Sequence, residues 1–143
     1  MELRQAQLSD CSQLIPLLSE LGYKISKEEM ADQAKTYIES QTCTLLVAES
    51  NNGAIAGLIA GHIFPLIHES GNVGRIMALI VDSESQAGGI GTLLLEMLES
   101  WFQENNCLRF EITSGEHREE AHQFYLAKGY VEDKRRFVKQ GAT

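Results

Sequence analysis

The chain is poor in the features that would assign it to several common classes. Its 3 cysteines, Cys11, Cys43 and Cys107, are widely separated, and an odd number cannot all pair. With no CxxC and no Cys/His ligand spacing, a disulfide framework and a metal site are both set aside, and the thiols are taken as reduced core residues. No apolar run approaches a membrane span, and the N-terminus carries no signal-like stretch, so the cytoplasm is the expected location and no membrane partner is expected. Basic residues are scarce, 12 against 20 acidic ones for a net charge of -8, which argues against a nucleic-acid surface and suits a cationic or amine ligand. What remains is a 143-residue chain, 43% hydrophobic, enough for one core and hence a single domain spanning residues 1–143.

The most informative segment runs from Leu79 to Leu95. Leu79-Ile80-Val81 is an apolar strand, Gly88, Gly89 and Gly91 punctuate the turn after it, and Ile90 onward has helical periodicity. Glycines at a helix start leave room for several backbone N–H groups to converge on an anion such as a pyrophosphate, aided by the positive end of the helix. The same glycines would also serve a tight turn or a close helix contact. No Lys-Ser/Thr pair follows, so this is not a nucleotide P-loop, and a third glycine and downstream acid of a dinucleotide fold are missing.

The wording is instead Gln86-x-x-Gly89-x-Gly91. It resembles the acyl-coenzyme A signature of the GNAT family of N-acetyltransferases. A second segment, Arg118 through Ala121-His122 and Phe124-Tyr125 to Gly129-Tyr130, is similar to the helix that follows in that family, in wording nearest to aminoalkylphosphonate and related small-amine acetyltransferases.

The rest of the chain fits the same order. A strand over Glu2 to Ala6 precedes a helix with Ser9-Asp10 as its cap, where Pro16 is expected to force a kink. Ser26-x-x-Glu29 is a capping box for a second helix to about Glu39, and Asn51-Asn52-Gly53 joins two strands, Thr44 to Glu49 and Ala54 to Phe64. Strand Arg75 to Val81, helix Ile90 to Glu104, strand Leu108 to Thr113, helix Arg118 to Lys128 and a last strand from Tyr130 complete β-α-α-β-β-β-α-β-α-β. That is a mixed α/β (α+β) sheet. The resemblance implies the acyl-CoA N-acyltransferase type, with the strands carrying Leu79 and Thr113 splayed apart.

By the same resemblance, acetyl-CoA is the cosubstrate, the backbone of Leu79 and Val81 binds pantetheine, and Gln86, Gly88, Gly89, Gly91 and Thr92 hold the pyrophosphate. Arg118 either adds a cation to that site or pairs locally. Tyr125 is the implied acid for the departing thiolate; as an aromatic on a helix it also suits a packing role. A carboxylate base is expected on the strand before the cradle, yet Arg75-Ile76-Met77-Ala78 has none. His62, His68, Glu69 and Glu111 remain, and His68 and Glu69 are taken as base candidates because a loop facing the splay reaches an amine. The expected function is acetyl transfer to the primary amine of a small molecule. The alternatives are a non-catalytic acyl-CoA-binding regulatory module and a protein or peptide N-acetyltransferase. Exposed strand ends leave room for a homodimer.

Overall fold

A computed structural model describes residues 1–113, 119–133 and 136–142, which divide into two compact units, Met1–Ile112 and Thr113–Thr143. In the first unit, five strands form one sheet in the order β1 (Glu2–Gln5), β2 (Cys43–Glu49), β3 (Ile55–Pro65), β4 (Asn72–Val81) and β5 (Cys107–Ile112). Neighbours are antiparallel except β4 and β5, which run parallel and are joined through α3 (Ile90–Glu104). The sheet is therefore mixed, as its element order implies.

Helices α1 (Cys11–Glu20) and α2 (Lys27–Glu39) contribute Leu14, Leu17, Met30 and Ala34 to a buried cluster with Leu45, Val47, Leu58, Ala60 and Ile80 on one sheet face. The Ser26 box forms as spelled: Ser26 Oγ accepts from the Glu29 N–H at 3.1 Å, and Glu29 Oε1 accepts from the Ser26 N–H at 3.0 Å. Pro16 lies inside α1, which runs from Cys11 to Glu20 and buries Leu14 and Leu17. Asp10 does not cap α1; its carboxylate closes a 3-10 turn at Leu8–Asp10 and binds Arg4.

Helix α3 covers the other face through Ile90, Leu94, Leu98 and Phe102. It approaches closely because β3 and β4 set glycines beneath these side chains. A Cβ on Gly57 would meet Leu94 at 3.2 Å, one on Gly61 would meet Leu98 at 2.5 Å, and one on Gly74 would meet the Phe102 ring at 2.5 Å.

The second unit contains α4 (Glu119–Ala127), stopped at Gly129, whose φ of +93° places it in the left-handed region. The strand expected from Tyr130 does not form among the described residues: Val131, Phe137 and Val138 are exposed, so no apolar face is buried to hold one.

Candidate active site

The site begins at an irregularity in β4. Opposite Ala60-Gly61 of β3 the register skips Met77, pairing Ala60 with Ala78 and Gly61 with Ile76. Such a bulge twists the strand that carries it. On the other edge, pairing with β5 runs from Asn72–Cys107 to Ile76–Ile112 and ends there. Among the described residues, no strand ladders with the β5-facing edge of β4 from Met77 to Ile80, while pairing with β3 continues to Val81. Leu79 lies in this stretch and Val81 follows it, both partly buried.

β4 leads to the helix end that could receive an anion. The Asp82 N–H bonds the Ala56 carbonyl at 2.8 Å, a 3-10 turn spans Ser83–Gly88, and Gly89 at φ +75° redirects the chain into α3. Among the described residues no side chain caps α3, and the first bond into it runs from the Leu93 N–H to the Gly89 carbonyl at 3.1 Å. The N–H groups of Ile90, Gly91 and Thr92 precede that bond and lie at the positive end of the helix. A Cβ on Gly88 or Gly89 would meet nothing within 4 Å, so close packing does not account for these two glycines. Their missing side chains leave space in front of the helix, which suits a pyrophosphate. The side chain of Gln86 and the whole of Arg118 lie outside the described residues.

In the second unit, Tyr125 is the buried residue of α4. Its ring meets Phe124 edge-on at 5.3 Å and Tyr130 at 5.6 Å, and its carbonyl accepts from the N–H groups of Lys128 and Tyr130.

His68 and Glu69 fall elsewhere. They sit in the loop before Asn72, at the closed end of the β4–β5 pair, rather than facing the open edge as expected. At about 3.3 Å per residue, the seven steps from Asn72 to Leu79 cover about 23 Å. There His68 Nε2 is 3.3 Å from Glu69 Oε1, which is 3.6 Å from Arg109 Nη1, in an exposed surface group. A surface hollow of about 680 Å³, lined by Gly71, Asn72, Gln103 and Asn106 among others, is at this same closed end.

Nearer the open edge lies a pair that sequence reasoning did not assemble, although Glu111 was among the candidates. Arg75 and Glu111 face each other one step before the last rung, with Arg75 Nε and Nη2 at 2.9 and 2.7 Å from Glu111 Oε1. The available signal was one charge, Arg75, in an otherwise uncharged β4, and an acid, Glu111, one residue from the end of β5.

An open β4 edge running into an uncapped, glycine-fronted helix is the arrangement expected for an acyl-coenzyme A thioester donor, and the acetyltransferase (GNAT) family profile matches residues 11–130. The chain belongs to the GNAT acetyltransferase family. It is an N-acetyltransferase, and the family generally uses acetyl-CoA as cosubstrate. It is similar to the aminoalkylphosphonate N-acetyltransferase of Salmonella typhimurium, 28% identical over 96% of this chain and 90% of that one. Its fold is similar to a GNAT family acetyltransferase of Staphylococcus aureus, 25% identical with a TM-score of 0.80 over 97% of each chain. A putative acetyltransferase of Agrobacterium tumefaciens, 20% identical, shares the fold at a TM-score of 0.86 over 99% of this chain and 100% of that one. Among the described residues no helix is long and apolar enough to cross a membrane.

Proposed function

We propose that this GNAT protein transfers the acetyl group of acetyl-CoA to the primary amine of a small molecule. The observation that carries the reading is the junction of the open β4 edge with the uncapped start of α3. In this reading the backbone of Leu79 and Val81 bonds the pantetheine amides as a further strand would, and Gly88, Gly89, Gly91 and Thr92, with Gln86, take the pyrophosphate. The Salmonella relative, named for a small amine acceptor, supports a small-molecule substrate.

Acetyl-CoA supplies an activated thioester. The neutral amine attacks its carbonyl carbon, the N–C bond forms, the C–S bond breaks, and the nitrogen gives up one proton to solvent. Tyr125 donates its phenolic proton to the departing thiolate and is reprotonated from solvent. Backbone N–H groups on β4 stabilise the oxyanion. His68 and Glu69 take no step in this scheme, because about 23 Å of strand separates their loop from Leu79.

Calorimetric titration with acetyl-CoA, followed by thiol release on adding small amines, tests the proposal. Saturable binding with amine-dependent thiol release is expected. Binding without release on any free amine, or release only with a peptide acceptor, would overturn it.

A further inference from the structure

Arg75 and Glu111 belong to a row that crosses the sheet. The register sets Cys43 opposite His62, His62 opposite Arg75 and Arg75 opposite Glu111, so the four side chains share one face. Toward the open end the same face becomes apolar at Ala60, Ala78, Leu58 and Ile80. The charged pair thus lies one rung before the end of the β4–β5 ladder.

Stability alone explains the pair poorly. The side chains are 41% and 36% exposed, and an exposed ion pair contributes about 0–1 kcal/mol, whereas apolar β-branched residues would suit both strand positions better. Both guanidinium contacts fall on Glu111 Oε1. Arg75 Nη1 and Glu111 Oε2 are left without bonding partners among the described residues. On the neighbouring strand, His62 turns its Nδ1 to the Thr42 carbonyl at 3.2 Å and to Cys43 Sγ at 3.3 Å.

A donor and an acceptor on either side of one ion pair match a ligand with opposite charges on a short spacer. In a chain of net charge -8, an anionic group will settle only where a cation is held in place. We infer that Arg75 and Glu111 dock the acceptor and select a primary amine bearing an anionic group, carboxylate or phosphonate, within a few bonds of the nitrogen. Glu111 Oε2 receives the ammonium before it loses its proton, and Arg75 Nη1 receives the anion. This rests on the acetyl-transfer reading above and gives it a substrate class.

Four amines sharing a two-carbon spacer test it: 2-aminoethylphosphonate, β-alanine, ethanolamine and ethylenediamine, followed by thiol release with wild type, Arg75→Gln and Glu111→Gln. Acetyl-CoA titration of each variant verifies that the fold and donor site persist. Wild type is expected to favour the two anionic amines by at least about tenfold in kcat/KM. Arg75→Gln should raise KM for those two by about tenfold to a hundredfold and change KM for ethanolamine less than about threefold. Glu111→Gln should raise KM for all four. The phosphonate and carboxylate arms show which anion is preferred. Equal use of ethanolamine or ethylenediamine by wild type, or equal losses on all four amines in Arg75→Gln, would overturn the inference and leave acetyl transfer standing. Absence of thiol release with every one of the amines would overturn both.

Discussion

The Phe102 ring occupies the place a side chain on Gly74 would take, with ring atoms 2.5 Å from an ideal Cβ at that position. Phe102 is fully buried and also meets Phe110 at 5.3 Å, so it cannot swing aside as a flexible chain end would. This contact seats the C-terminal half of α3 on β4 and so helps to fix the helix whose other end follows Gly89. Gly74→Ala is expected to destabilise the fold by about 1–3 kcal/mol in urea denaturation, the usual cost of overpacking a dense core. Combining it with Phe102→Leu should recover part of the loss, because the two positions share one contact.

Gly88 is the opposite case. Its Cβ would enter open space before α3, so Gly88→Ala should leave the denaturation midpoint close to wild type. Acetyl-CoA affinity in calorimetry should nevertheless fall about tenfold, the equivalent of one lost charge-assisted hydrogen bond. Unchanged affinity would remove the cradle from the functional account.

Tyr125→Phe keeps the ring that packs on Phe124 and Tyr130. The variant should fold normally and bind acetyl-CoA as wild type does, while kcat falls about a hundredfold or more through loss of the acid. A wild-type kcat in a folded variant would assign Tyr125 to packing alone.

Acid stability should depend on Asp10. Arg4 Nη1 and Nη2 each donate to its carboxylate at 2.9 Å, the Gln7 N–H donates at 2.8 Å, and Arg4 Nε reaches Glu49 at 2.8 Å. The Arg4 hydrogen bonds, joined by that of Gln7, hold the Asp10 carboxyl below its usual range against the opposing effect of burial. A depressed folded-state pKa gives stability that is present above the unfolded value near pH 4 and is lost as pH falls through the folded value. Asp10→Asn is therefore expected to cost about 2 kcal/mol at pH 7 and to flatten the decline in denaturation midpoint below pH 4.

The residue order by itself determined most of the local elements, including the glycine-rich entrance to α3. Ser26 and Glu29 spelled their cap, Asn51-Asn52-Gly53 its hairpin, and Gln86 to Gly91 the helix entrance, because each depends on contacts within a few residues. The tertiary structure decided where the sheet opens and which charges meet there. The skip at Met77 follows from pairing with β3, and the end of the ladder at Ile76 follows from the length of β5. Arg75 meets Glu111 across 36 residues of chain through that same register. His68 and Glu69 were assigned to the wrong end of the strand for a related reason: a loop's composition does not show which edge it faces. Local preference acts over one or two turns of chain, whereas register, bulges and strand ends are set when distant segments pair and bury a common face.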